Sequence, residues 1–392
     1  MNAPPLPPGQ WAPVPELPGI PEHLRREGAY LPPPLPSHLP LPAVTYRLVA
    51  EAEHALGRLD EAADRLRVRP GLVRATQVRD AAASAGLTGT VIGLREAFAA
   101  DLVAAHGPPP TDRSAPVQLL APHLAAYDHG TEHVRRGGAV DADLLGRLAA
   151  ITVGRPDAAP RDVLRREPGV LGVNRERAYL LTAPNAHLVA HLEQWSTWVR
   201  EEREQPRIAK IALAHYQLEV LQPFSSVSGH VARAFSVLEV VRAGLLRDQL
   251  LPLSVWLDDA LPEYQEEIRA VVDTGSVHPW VEFFACAVRD QALAQLRLVG
   301  LLADLAERYA RLLPRTGVLP EVAADLIGFP VVDHRALRER HQVTTKAATD
   351  LTRRLVERGI LVPWDSRDYR RVFVCRDVLR LLVDNPDTTA LP

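Results

Sequence analysis

Residues 212–246, ALAHYQLEVLQPFSSVSGHVARAFSVLEVVRAGLL, hold the densest set of groups in this chain that could do chemistry. Two apolar helical patterns flank a loop of small residues that runs through Ser225, Ser226, Val227, Ser228 and Gly229. A loop at the start of a helix aims free backbone amides and the positive end of the helix dipole at an anion, so a phosphate suits it. His230 can act as acid, base or phosphate donor, or can be a surface imidazole at a helix start. Arg233 can bind a phosphate or pair with a carboxylate inside the bundle. His215 and Gln222 stand seven residues apart, two turns on one helical face. Either a polar pocket lies between them or His215 is a hydrogen-bonded core histidine. Asp258 and Asp259 offer carboxylates to a metal, but read first as a solvated loop.

The elements that position these groups follow from the apolar spacing. Residues 1–43 are dense in proline, which removes amide donors and fixes φ. The reading is an extended or polyproline arm, not helix, lying along the domain surface; an SH3-type ligand is the lesser alternative. From Tyr46 the pattern turns helical, with Leu48, Ala52, Leu56, Leu59 and Ala63 on one stripe. A second helix covers 72–85 and breaks at Gly86 and Thr88–Gly89. Further helices cover 91–105, 114–130 and 142–153, the first two separated by GPPPTD. Between 163 and 184, GVLGVN and RAYLLT read as a hairpin. A helix then starts with Asn185 as its cap. Helices follow at 208–221, 231–243, 261–274 and 279–310. At the end, helical patterns at 320–326, 333–340 and 344–358 precede GILVP, a polar turn and the strand VFVC. That is the order of a winged helix.

The 212–246 stretch resembles the core of the Fic/Doc family, whose helix–loop–helix carries HPFx(D/E)GNGRxxR. This chain has Gln222, Pro223, Phe224, Ser225, Ser226, Val227, Ser228, Gly229, His230 and Arg233 in that frame. LPLSVWL at 251–257, PEYQEEIRAV and HPWVEFFACAVRDQA are also similar to the family, and 163–184 sits where it has its substrate flap. The resemblance implies a mainly α fold: a Fic-type helical domain with a small β-hairpin flap, plus a C-terminal winged helix-turn-helix module. It divides the chain into an arm (1–43), an N-terminal helical region (44–110), a Fic core (111–312) and the winged module (313–392).

The family transfers a nucleotide, usually AMP from ATP, to a protein hydroxyl, chemistry that rests on positioning and charge neutralisation. At the position of its general base stands Gln222, whose amide does not titrate near neutral pH. At the metal carboxylate stands Ser226, a poor ligand for Mg²⁺. Val227, Ser228 and Gly229 replace the Gly-Asn-Gly nest, and valine disfavours positive φ. His230 replaces the first arginine; Arg233 keeps the second. The family's inhibitory helix carries (S/T)xxxE(G/N), matched here by Ser84, Thr88 and Gly89, with no carboxylate at Thr88.

The expected function is therefore that of a non-catalytic Fic-type protein that binds a nucleotide, such as ATP, or a partner on the 163–184 flap. An active enzyme of altered chemistry, using His230 and Arg233, is the second reading. A DNA-binding regulator is the third, with Thr344, Thr345, Lys346, Thr349, Arg353 and Arg354 on the recognition helix and Arg367, Arg370 and Arg371 on the wing. Self-association stays open.

Composition narrows the field. A net charge of −3 over 392 residues gives no global field toward nucleic acid or anionic lipid. Two cysteines, Cys286 and Cys375, build neither a disulfide framework nor a cysteine metal site. No apolar run reaches membrane-spanning length and no leader precedes the arm, so a cytoplasmic location is expected.

Overall fold

A computed structural model describes residues 5–14, 20–64, 69–106, 115–172, 178–364 and 371–383. The elements follow in chain order. The arm contributes β1 (Gln10–Ala12), α1 (Glu22–Glu27) and β2 (Ala29–Leu31). Then come α2 (Ala43–Asp64), α3 (Arg69–Gly86), α4 (Leu94–His106), α5 (Ala115–Arg135) and α6 (Ala142–Thr152). The hairpin is β3 (Val170–Gly172) and β4 (Ala178–Leu181). Six helices follow: α7 (Asn185–Glu201), α8 (Arg207–Leu221), α9 (Ser228–Arg242), α10 (Leu253–Asp259), α11 (Leu261–Thr274) and α12 (His278–Leu312). The last part holds α13 (Val318–Asp325), β5 (Val331–Asp333), α14 (His334–His341), α15 (Thr345–Glu357), β6 (Val362–Pro363), β7 (Val372–Val374) and α16 (Arg376–Val383). No helix among the described residues is long and apolar enough to cross a membrane.

Two compact units emerge from this order. The first comprises Met1–Leu56, Ala125–Arg247 and Trp256–Asp290; the second comprises Gly57–Leu124, Asp248–Val255 and Gln291–Pro392.

The first unit is built on α8, in which every residue from Ile208 to Leu221 is buried. A helix buried on every side must be surrounded by others. Trp195 of α7 donates its Nε1–H to Ala214 O at 3.0 Å, and Trp280 of α12 donates to Ala212 O at 2.7 Å. The aromatic bodies thus fill the core while their one polar atom finds a carbonyl. β1 and β2 pair antiparallel, as do β3 and β4, and a bridge between Tyr30 and Thr182 joins the two ribbons. The arm is not wholly extended. The proline-free stretch EHLRRE forms α1, with Pro21 at its N-cap. Nor does the arm only lie along the surface: Ala12 and Leu31 are buried with Ala183, Leu188 and Leu221, and Leu24 and Ala29 with Ala178 and Leu181. Its prolines offer only acceptors, and the body supplies donors: Gln217 Nε2 to Pro33 O at 2.9 Å and Trp198 Nε1 to Pro36 O at 3.0 Å.

The second unit pairs α3 with α4 through Arg74, whose Nε and Nη2 both reach Asp101 Oδ1, at 2.9 and 2.6 Å. Gly71 and Gly328 let two backbone segments touch; a Cβ at Gly328 would fall 2.2 Å from Gly71 Cα. The helix–turn–helix pair α14–α15 is capped by Asp333 and Thr344, which accept the amides of Ala336 and Ala347. A three-stranded antiparallel sheet, β5-β7-β6, closes this part. α16 buries Val378, Leu379 and Leu382 at 3- and 4-residue steps.

Candidate functional site

The site lies in the first unit, where α8 gives way to a tight loop and α9 begins. α9 starts at Ser228, three residues ahead of the sequence expectation. Ser228, Gly229 and His230 therefore form its first turn, where amides lack an intrahelical acceptor. Gln222 ends α8 in the left-handed region, φ 43° and ψ 58°. Ser226 is also left-handed at φ 58°, while Val227 keeps φ −123°. The β-branched side chain resists positive φ, and the turn falls one residue earlier. Ser228 is buried and locks the loop. Its Oγ accepts the Phe224 amide at 2.7 Å and donates to Phe224 O at 2.6 Å. Ser225 and Ser226 remain exposed.

Beneath the loop lies a sealed polar cluster. His215 Nδ1 lies 3.1 Å from Ala232 O and 2.7 Å from Ser236 Oγ. A carbonyl only accepts, which assigns the proton to Nδ1. Nε2 then accepts from the Tyr264 hydroxyl at 2.7 Å. Burial, helped by the Arg233 charge, holds the imidazole neutral, its pKa pushed down to about 3. His215 is thus the core histidine of the two sequence readings.

Glu219, one turn on, is 4% exposed. Its Oε2 accepts from Gln222 Nε2 at 3.0 Å, and the same Nε2 donates to Glu219 O. Its Oε1 has no hydrogen-bond partner, and lies 3.8 Å from Arg233 Nη1 and 3.9 Å from His215 Nε2. Burial raises its carboxyl pKa; Arg233 works the other way. Arg233 is 3% exposed, and its Nη2 lies 3.5 Å from His230 Nδ1. Gly229 makes room for it, since a Cβ there would meet Nη1 at 2.9 Å. Arg233 thus has a carboxylate neighbour inside the bundle, Glu219. His230 is buried, not a surface imidazole, because the earlier helix start turns it inward against Arg233. Asp258 and Asp259 are helical, at the end of α10, rather than in a loop. Burial raises the Asp258 carboxyl pKa, Asp259 adds to the rise, and Arg233 opposes it.

Arg165 ties the hairpin base to the loop. Its Nε donates to Gln222 O at 2.6 Å, its Nη1 to Glu167 O at 2.7 Å, and its Nη2 to Leu221 O at 3.0 Å and to Ala183 O. It satisfies two carbonyls that the end of α8 leaves open. Burial alone lowers its pKa, to about 10. Its own amide reaches Pro223 O at 3.0 Å. Asn185 does not cap α7. Pro184 holds the cap position and Asn185 donates to Arg165 O at 2.5 Å. The hairpin tip, 173–177, falls outside the described residues. Tyr179 of β4 stands near the site, its hydroxyl pKa raised by burial and then by Glu219.

Sequence reasoning missed Glu219, Tyr264 and Arg165. The spacing His215, Glu219, Gln222 at i, i+4 and i+7 inside an apolar run was the available signal for Glu219. The other two act across long sequence separations and left none.

The remaining sequence candidates sit in the second unit. Ser84 is buried in α3; Thr88 Oγ1 donates to Ala85 O at 2.8 Å, and Gly89 has φ 85°. On α15, Thr345, Lys346, Thr349 and Arg353 are exposed and Arg354 is half-buried. Thr349 Oγ1 donates to Thr345 O at 3.0 Å. Arg353 is bonded by Asp350 and by Glu357, the latter at 2.5 Å. Arg371 is exposed; Arg367 and Arg370 lie outside the described residues.

No protein-family model matches the sequence. Solved structures do. A Fic family protein from Desulfovibrio desulfuricans G20 superposes with a TM-score of 0.56 at 15% identity, over 87% of this chain and 98% of its own. A Fic domain containing signaling protein from Bacteroides thetaiotaomicron covers 66% of this chain and 97% of its own, at TM-score 0.46 and 11% identity. Fic-1 from C. elegans covers 65% and 72%, at TM-score 0.47 and 15% identity. The last two scores are too low to carry an argument, and at such identities the first speaks to fold alone. By that likeness, and by its mainly helical build with small hairpins, this chain has a Fic-type fold.

Proposed function

We propose that this Fic-fold protein does not transfer nucleotides, and that the turn between α8 and α9 serves as a binding site for a phosphate-bearing ligand such as ATP. One observation carries the reading. The amide of Gln222, at the position where the resemblance implies a general base, is bound to Glu219, and the same glutamate stands beside Arg233. An amide held in this way neither accepts a proton at neutral pH nor presents itself to a target hydroxyl. Ser226 gives Mg²⁺ a single neutral oxygen where divalent ions favour carboxylates. Support for anion binding comes from the open first-turn amides of α9, the exposed Ser225 and Ser226, and the arginine behind them.

Incubation of the full chain with labelled ATP, GTP, UTP or CTP and cell lysate is expected to give no covalent label. Robust labelling that disappears in Arg233→Ala would overturn the proposal. His230 gives the active-enzyme reading little support, being buried against a cation. The DNA reading gains Lys346 and loses Arg353, whose charge Asp350 and Glu357 already neutralise.

A further inference from the structure

A cavity of about 230 Å³ lies within the second unit, between the start of α4, the end of β6 and α16. Its lining holds two kinds of residue only. Six of the nine are apolar, among them Trp364, Leu379 and Val383; the other three are Arg95, Arg376 and Arg380. We propose that this cavity binds a small carboxylic acid with a compact hydrocarbon body, held as the carboxylate.

The three guanidiniums gather positive charge without a counter-charge. No acidic residue lines the cavity, and none of the three arginines makes an ion pair among the described residues. The carboxylates beside them in sequence are turned elsewhere. Asp377 adjoins Arg376 and stands one helical turn before Arg380, yet it is bonded by Arg308 and accepts from the Tyr309 hydroxyl at 3.2 Å. Glu96 adjoins Arg95 but lies over Gly93, where a Cβ would fall 2.4 Å from its Oε2. Arg376 also opens α16, the positive end of the helix dipole, where a cation is disfavoured. Elsewhere in this unit exposed arginines are paired along their own helix, Arg335 with Glu339 and Arg353 with Asp350 and Glu357. Like charges collected on an apolar wall repel one another, and a bound anion relieves the repulsion.

The lining selects the anion. Arg95 is held over the Trp364 ring, 3.8 Å from its centroid, and makes one hydrogen bond, at 3.4 Å to Trp364 O. Its remaining donors form a planar fork, which a carboxylate meets with two parallel bonds. A phosphate offers three oxygens that seek donors on every side, and a lining two-thirds apolar does not supply them. Leu379 and Val383, the latter 60% exposed, give the rest of the ligand hydrocarbon to lie on. The volume falls below the ~300 Å³ at which pockets for drug-sized ligands begin, which limits the acid to one ring or a short chain.

The test is calorimetric titration of the full chain with benzoate and with hexanoate, which separates an aryl from an alkyl body. Benzamide, the uncharged counterpart of benzoate, and inorganic phosphate at matched ionic strength are the rivals. Saturable binding of one of the two carboxylates is expected, with benzamide at least about tenfold weaker than benzoate if the aryl acid is the one that binds. Arg376→Gln and Arg380→Gln should each weaken the carboxylate about tenfold, the size of one charge-assisted contact. Both arginines are exposed, so these substitutions leave the fold intact. No saturable heat with either carboxylate, benzamide binding as tightly as benzoate, unchanged affinity in both variants, or phosphate binding as tightly as the carboxylates would each overturn the assignment.

Discussion

Arg165 and Arg233 are both nearly sealed from solvent, and they are held in opposite ways. Among the described residues Arg165 meets no carboxylate. It spends its donors on four backbone carbonyls, two of them at the negative end of α8. Arg233 stands 3.8 Å from Glu219, within ion-pair range but beyond hydrogen-bond length. The first arrangement is a rivet, since the carbonyls it joins have no other use. On the proposed reading the second is exchangeable: an anion of suitable shape takes the place of the carboxylate, and the loop keeps a binding site without its acid–base chemistry.

The sharpest way to break this contrast is Arg165→Ala. It leaves four acceptors and a buried gap, and should destabilise the chain by about 3–5 kcal/mol in urea unfolding. A loss below about 1 kcal/mol would dissolve the rivet. Next in size is the pH response of His215. Its pKa is depressed in the folded state, so its contribution is fully present above its ordinary value of 6.5 and drains as pH falls toward about 3. Between pH 6.5 and 5 the loss should be about 2 kcal/mol, and His215→Gln should flatten that slope. Glu219 has the opposite sign: its raised carboxyl favours folding at low pH and opposes it once ionised. Ser228→Ala removes both bonds to Phe224 and should cost about 1–2 kcal/mol by the same unfolding measurement. The mildest change sharpens the exchangeable side. Glu219→Gln should raise ATP affinity about tenfold in calorimetry, and Arg233→Ala should abolish the gain. Unchanged affinity in Glu219→Gln would mean the carboxylate does not compete.

The helices around the site were legible because their apolar spacing is strong. α8 and α11 begin and end within a residue of the periodicity reading, and the hairpin falls inside 163–184. What escaped was set by tertiary contacts. Ser228 starts α9 early because its hydroxyl binds Phe224, a bond that no helix propensity contains. Asn185 looked like a cap and serves Arg165 instead. α1 formed within the arm in its longest proline-free stretch, residues 22–31. The motif positions Gln222 and Arg233 could be named from sequence; the spacing of Glu219 put it on the face of His215 and Gln222, but not beside Arg233, a contact made between two helices.

The arm has a consequence of its own. A proline has no amide to give, so at Pro33 and Pro36 the bonding runs one way, from Gln217 and Trp198 into the arm's carbonyls. Pro32, Pro33, Pro34 and Pro36 cannot donate to an added strand, which guards this stretch against pairing with another chain. The protection is borrowed from the prolines: peel the strap away, and two side chains that were content become thirsty at once.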